Sequence, residues 1–219
     1  MATPTTRSRR RVGRPPGPPP DHEARREELL DAAERVIRSQ GPDVSMNAIA
    51  AEIGLTKPVV YRSLGDKAEL SAALGRRVGE RLAGELGAAL VSSGSLDEVV
   101  AGAIDVFCRF VDEDTNLYRF VVHGAIGTRR KDSSEGTDPS DRSLVSRLGG
   151  EIDAALRDAL TRADADPAIA DTWAYAILGA VFAATEHWLH HRHITRPQLV
   201  AHLVDLITPA LHHSGLSPA

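Results

Sequence analysis

Residues 45–67 read Ser-Met-Asn-Ala-Ile-Ala-Ala-Glu-Ile-Gly-Leu-Thr-Lys-Pro-Val-Val-Tyr-Arg-Ser-Leu-Gly-Asp-Lys, and the fold turns on how this stretch divides. Met46, Ile49, Ala50 and Ile53 repeat at helical spacing, which predicts a short helix with one apolar face. Ser45 stands where an N-cap is wanted, and Gly54 supplies the left-handed residue that ends a helix. Thr56 is placed to cap a following helix, with Pro58 tolerated in its first turn. There Val60 and Leu64, four apart, face inward, while Lys57, Val59, Arg62 and Ser63 face outward. Two short helices joined by a tight turn, the second showing cations and small side chains, make a candidate helix-turn-helix whose second helix suits a DNA major groove. Periodicity alone equally fits a hairpin inside a larger helical core.

Upstream, Asp21 begins a helix whose stripe of Leu29, Leu30, Ala33, Val36 and Ile37 would brace the hairpin, and Gly41-Pro42 ends it. Downstream, Asp66 and Glu69 form a capping pair that opens a fourth helix running towards Leu90. Lys67 at that start sets a cation beside free backbone amides, a candidate phosphate contact. Past Ser92-Ser93-Gly94, the residues Leu96, Val100, Ile104, Phe107 and Val111 mark another helix, and Leu117–Ile126 a further apolar segment. Residues 127–141 read as a polar surface loop, and Leu144, Leu148, Ile152, Leu156 and Leu160 mark the next helix. No strand pattern and no fixed-period repeat occurs. The fold class is all-α: a disordered basic arm over residues 1–20, a three-helix helix-turn-helix domain over 21–66, and a larger C-terminal helical domain over 67–219.

The 219 residues, 42% hydrophobic and 26% charged, have the composition of a soluble globular protein long enough to bury a core. The net charge of −4 is uneven: residues 1–67 hold twelve Lys/Arg against nine Asp/Glu (+3), and residues 68–219 hold fourteen against twenty-one (−7). The basic part coincides with the candidate DNA reader, and phosphate would repel the rest. Residues 1–20 carry Arg7, Arg9, Arg10, Arg11 and Arg14, no acid, and a Pro-Gly tail, which cannot build a packed core. Arg10, Arg11 and Arg14 are candidates for phosphate or minor-groove contact, and Gly13-Arg14-Pro15 has the form of an AT-hook core. Cys108, the sole cysteine, excludes an intrachain disulfide; with Phe107 and Phe110 beside it, it suits a buried thiol in a reducing cytoplasm. The arginine-rich start lacks the apolar core of a secretory signal, and the apolar run Trp173–Ala184 falls short of the ~20 residues that cross a bilayer. A soluble, cytoplasmic protein with no membrane partner is expected.

Residues 23–83 resemble the DNA-binding domain of the TetR family (TetR/AcrR-like) of bacterial transcriptional regulators. The likeness rests on Ile49-Ala50, Gly54-Leu55-Thr56-Lys57-Pro58, Val60-Tyr61-Arg62 and Gly65-Asp66-Lys67-Ala68-Glu69-Leu70. Ser63 departs from a position where the family often has His or another aromatic, and Leu64 from one where it often has Phe. The resemblance assigns Tyr61 and Lys67 to phosphates. With the helix reading, the expected DNA-binding set is Ser45, Met46, Thr56, Lys57, Pro58, Val59, Tyr61, Arg62, Ser63 and Lys67, plus the arm's three arginines. The implied partner is a near-palindromic double-stranded DNA operator.

The C-terminal domain carries less specific signals. From Trp173 to Ala184 almost every residue is apolar, so the helix Asp171–Leu189 must be buried on more than one side. Thr195-Arg196-Pro197 introduces a last helix with Leu199, Val200, Leu203, Leu206, Ile207 and Leu211. These two helices either pack as an ordinary core or pair with a second copy, and the resemblance implies a homodimer through them. It also implies a cavity for a small-molecule effector, hydrophobic or amphipathic, and the candidate lining is Phe107, Phe110, Tyr118, Phe120, Trp173, Tyr175, Phe182 and Trp188. His123 and His187, with Arg119 and Thr185, are candidate polar anchors; the alternative for each aromatic is core filling. The layout around Leu117–Phe120 and Glu186–Leu189 resembles TetR-like regulators that sense fatty acyl groups. His187 and His191 fall four apart, but no zinc-protease pattern and no third ligand accompanies them, so no metal is expected. No nucleophile elbow, phosphate-binding Gly-rich loop or Cys-x-x-Cys occurs, and neither catalysis nor a cofactor is expected. The expected function is a sequence-specific transcriptional regulator, a repressor released from its operator by ligand. The alternative is a cytosolic small-molecule-binding protein or enzyme that keeps the hairpin for packing alone.

Overall fold

Each helix begins and ends where local chemistry dictates, and the core follows from their stripes. The computed structural model describes residues 22–129 and 144–216. Among these residues there are nine α-helices, one short 3-10 turn and no strand. Helix α1 (His22–Gln40) buries the stripe Leu29, Leu30, Ala33, Val36 and Ile37. Helix α2 (Met46–Glu52) is capped by Ser45, whose Oγ accepts from the Ala48 N–H at 3.1 Å. Gly54, at φ +68°, then turns the chain into α3 (Lys57–Leu64).

Thr56 holds the N-cap position of α3, but its side chain makes no capping bond. A cap oxygen is served by the second or third helical N–H. Pro58 has none to give, and the Val59 N–H donates to the Thr56 carbonyl instead, at 3.0 Å. The start of α4 (Lys67–Leu90) is the stronger one. Asp66 accepts from the Ala68 and Glu69 amides at 2.8 and 2.9 Å, and Glu69 accepts from the Asp66 amide at 2.8 Å.

Ser95 and Glu98 form the same box ahead of α5 (Leu96–Glu113), and α6 (Thr115–Arg129) follows after the single residue Asp114. Helix α6 takes in residues 127–129, which the sequence assigned to a loop; residues 130–141 of that loop lie outside the described residues. Helix α7 (Leu144–Arg162), a turn at Pro167–Ile169, α8 (Ala170–His191) and α9 (Arg196–His213) complete the chain. Thr195 and Gln198 box the start of α9.

Helices α1, α2 and α3 pack on one another as a head, and α4 carries the chain out of it to pack on α5, α6 and α7. Helix α7 lies on α8, and α5 on α9. One continuous apolar core runs from Leu29 to Leu216, so α4 belongs to both the head and the body. The head docks on the body through the last turn of α1. Arg38 forks onto Asp114 at 2.7 and 2.9 Å, and the Asn116 side-chain amide donates to the Arg38 carbonyl at 2.8 Å, satisfying one of the end carbonyls that a helix leaves open.

Helix α8 is longer than its apolar run suggests: 22 residues, enough by length and composition alone to cross a membrane. Only 28% of its most apolar window is buried. Its buried side carries Ala174, Leu178, Val181, Trp188 and Leu189, and its exposed side carries Tyr175, Ala176, Gly179 and Ala183.

Candidate nucleic-acid interface and effector cavity

The head presents one polar face. On α3, Val60 and Leu64 are buried at 0% and 2% exposure, while Lys57, Pro58, Val59, Tyr61 and Arg62 are exposed. The Lys57 ammonium lies 5.5 Å from the Tyr61 ring centroid, and Arg62 forms no hydrogen bond or ion pair among the described residues. Ser45 and Thr56 are exposed at the N-termini of α2 and α3, where free amides favour an anion.

Three expected members of this surface sit differently. Met46 is 5% exposed, its side chain spent on the head's core, because it opens the apolar stripe of α2. Ser63 is half-buried rather than outward, since it lies three residues after Val60 and one before Leu64, at the edge of the inward face. Lys67 is exposed, but its Nζ donates to the Pro42 carbonyl at 3.1 Å and lies 5.4 Å from the Phe120 ring. It ties the α1–α2 loop to α6 in place of pointing freely into solvent. Arg10, Arg11 and Arg14 lie outside the described residues.

The expected pocket aromatics do not all converge on one site. Phe107, Phe110, Tyr118 and Phe182 pack on one another between α5, α6 and α8, with centroids 5.8–6.4 Å apart. Tyr118 is 1% exposed, and its hydroxyl donates to Glu186. Burial first, and then the neighbouring carboxylate, push that phenol well above its usual range. Phe120 lies beneath Lys67. Tyr175, 43% exposed, covers Gly149, where a Cβ would come within 2.8 Å of its ring. The Trp188 indole donates to the Ile194 carbonyl at 2.7 Å beneath the Arg192 guanidinium. Core and surface packing account for these rings because flat, rigid side chains fill interhelical gaps well.

An apolar cavity of about 130 Å3, partly open to solvent, lies elsewhere, between α4, α5, α7, α8 and α9. Of the expected residues only Phe107 lines it; the other walls are aliphatic, among them Leu86, Ile104, Leu148 and Val181. Ala103, Ala155 and Ala159 stand on its inner faces, and their short side chains leave the space. The sequence signal was present, as alanines interrupting otherwise bulky apolar stripes, but which stripes would face one another was not. A second void, an open groove of about 230 Å3, runs between α8 and α9 on the outer side, and Trp173 borders it.

His187 is exposed and stacks on His191 at 4.2 Å, with the His193 ring 6.0 Å away. The left-handed Arg192, at φ +46°, ends α8 before His193. No group of three candidate ligands converges on an ion among the described residues. The His123 side chain lies outside the described residues. Cys108 is fully buried, 3.4 Å from the Thr185 hydroxyl; burial raises its thiol to about 11 against the partial offset of that bond.

Known proteins carry the same arrangement. Residues 29–74 match the family model of bacterial regulatory proteins of the tetR family, and residues 85–217 match that of the tetracyclin repressor-like C-terminal domain. An uncharacterized HTH-type transcriptional regulator of Mycobacterium tuberculosis is 31% identical over 188 residues, covering 85% of this chain and 77% of that protein. The transcriptional activator FasR of Mycolicibacterium smegmatis is 28% identical over 133 residues, covering 58% of this chain and 61% of its own length. A TetR-family regulator from Pectobacterium atrosepticum superposes with a TM-score of 0.70 at 19% identity, over 93% of this chain and 100% of that one. FadR from Bacillus subtilis, solved in complex with stearoyl-CoA, does so with a TM-score of 0.60 at 15% identity, over 83% and 96% of the two chains. These structural likenesses show the fold. The matches to both halves, and the relative at 31% identity, carry more: with its helix-turn-helix head on a helical body, this chain is a DNA-binding transcriptional regulator and belongs to the TetR family.

Proposed function

We propose that this chain acts as a homodimeric repressor, released from a near-palindromic operator by an apolar effector. The observation that carries the DNA half is the one-sided α3, which buries Val60 and Leu64 and shows Lys57, Val59, Tyr61 and Arg62 to solvent. Each head would lie in a major groove, the two roughly one turn (~34–36 Å) apart. Lys57 and Arg62 suit guanine edges, and Val59 a thymine methyl. Ser45, Thr56 and Tyr61 grip phosphates together with the α2 amides beside Met46, and Pro58 and Ser63 frame the contact. Lys67 reaches phosphate once it leaves Pro42, and Arg10, Arg11 and Arg14 extend the grip along the backbone or minor groove. The head would comprise residues 21–66 and the body 67–219.

The effector half rests on the aliphatic cavity, which fits a hydrocarbon portion of a hydrophobic or amphipathic molecule. The stearoyl-CoA bound to the FadR of B. subtilis is an acyl ligand held on this fold. The dimer half rests on α8 and α9, where Leu206 is 64% exposed beside the open groove and one face of α8 is exposed. Covering that face with a second copy gives an isologous four-helix interface. The site of action is the bacterial cytoplasm, at the nucleoid; catalysis, metal and cofactor have no part in the reading.

The test is a gel shift on the DNA upstream of the chain's own gene, repeated with fatty acyl compounds. A salt-dependent complex that outcompetes random DNA and dissolves on ligand addition is expected. A protein that binds no DNA but turns over a small molecule sinks this reading in favour of the carrier or enzyme.

A further inference from the structure

We propose that a hydrocarbon held in the internal cavity weakens the dimer directly, because the cavity and the outer α8–α9 groove share a wall. This rests on the cavity being the effector site and on the groove belonging to the dimer surface. Ile177, Ile207 and Leu211 line both the inner void of about 130 Å3 and the outer groove of about 230 Å3. Ile207 and Leu211 are 6% and 3% exposed, and Ile177 is half-buried. Beside them the groove is lined by the small residues Ala176, Ala180 and Ala210, so a second copy's side chains can reach the shared wall.

The lining sets the chemistry of the occupant. No side chain around the inner void offers a hydrogen bond. A hydroxyl or carboxylate drawn away from the cavity's open side would lose its bonds to water without replacement, so the deep part takes a hydrocarbon, or the hydrocarbon part of a larger molecule. An apolar cavity of about 150 Å3 accepts a molecule the size of benzene, which sets the scale here.

The lining also sets the direction of the effect. Packed interiors transmit displacement rather than absorb it. With the cavity empty, the three shared side chains can yield inward as a second copy presses on the groove. A hydrocarbon behind them holds them outward and opposes that approach. Hydrocarbon and partner must then weaken each other's binding by the same factor.

The experiment uses the full chain, with benzene and n-hexane as probes. Binding is read by calorimetry, and the dimer dissociation constant by energy transfer between N-terminally labelled chains. Both probes are expected to bind and, at saturation, to raise the dimer dissociation constant by about fivefold or more. Ile177→Ala, which opens the wall, should still bind hydrocarbon but show little of that rise. Ala155→Leu should fill the cavity and abolish both effects; Ala103→Leu serves the same purpose should the first variant fail to fold. Hydrocarbon binding that leaves the dimer constant unchanged or tighter overturns the shared-wall coupling, as does a full rise in Ile177→Ala. A folded chain that binds neither probe overturns the effector-site reading itself, so the two failures are told apart.

Discussion

Arg62 and Lys67 are both exposed cations of the head, and their surroundings assign them different work. Among the described residues Arg62 has no partner on the open side of α3, so its guanidinium is free to fork onto a base. Arg62→Ala should lose ~1–3 kcal/mol on the cognate operator and relax its sequence preference, as measured by titration against operator variants. Lys67 is held by the Pro42 carbonyl and lies near the Phe120 ring. Lys67→Ala should weaken all DNA sequences alike and reduce the salt slope by about one unit. An unchanged slope would mean that Lys67 keeps its internal partners when the protein binds DNA. Cys108 gives a third test. Its thiol is raised to about 11 from 9.0 when folded, so the folded state holds this proton more tightly than the unfolded chain. The stability it contributes is complete below about pH 9 and is lost as pH rises through about 11. The urea midpoint should fall over that window, and less steeply in Cys108→Ala. At this scale the sequence indicated which residues are charged and, Ser63 excepted, which lie on α3's outer side. It could not indicate that Lys67 finds Pro42 and Phe120, which lie 25 and 53 positions away and come near only when the helices pack.

At the scale of the element, the joints around α4 matter most. The box at its start depends on Gly65, at φ +76°, where a Cβ would lie 2.2 Å from the Glu69 carboxylate. Gly65→Ala should destabilise the fold by about 1–3 kcal/mol through backbone strain, and Asp66→Ala by ~0.5–2 kcal/mol through the lost cap, both read from urea unfolding. The head's second attachment is the Arg38–Asp114 fork, part of a wider mesh in which Glu34 meets Arg38, Arg77 and Arg81. These groups are partly exposed, so a double-mutant cycle of Arg38→Ala and Asp114→Ala should give a coupling of only about 1 kcal/mol. Its larger consequence should be a looser head, seen as faster hydrogen exchange in the last turn of α1. Helix limits were legible because caps are local: Ser45, Asp66 and Thr195 sit within three residues of the amides they serve. Thr56 was the exception, because Pro58 removed one donor and the backbone took the other.

For the molecule as a whole, the sequence by itself determined the all-α class, the order of the helices and the polar face of α3. Each of these depends on periodicity and capping, which act over a few residues, and the family match of the head rests on the same short stretch. Tertiary structure decided the cavity. The aromatic residues that stood out in the sequence pack on one another or on the surface, and the void opens among unremarkable aliphatic stripes whose alanines oppose one another only after α4, α5, α7, α8 and α9 assemble. It also decided that one face of α8 stays exposed, which composition alone could not separate from a fully buried core helix or a membrane span. The physical reason is the same in both cases: an apolar stripe records that a face must be covered, and only the packing of the other helices fixes what covers it and where space remains.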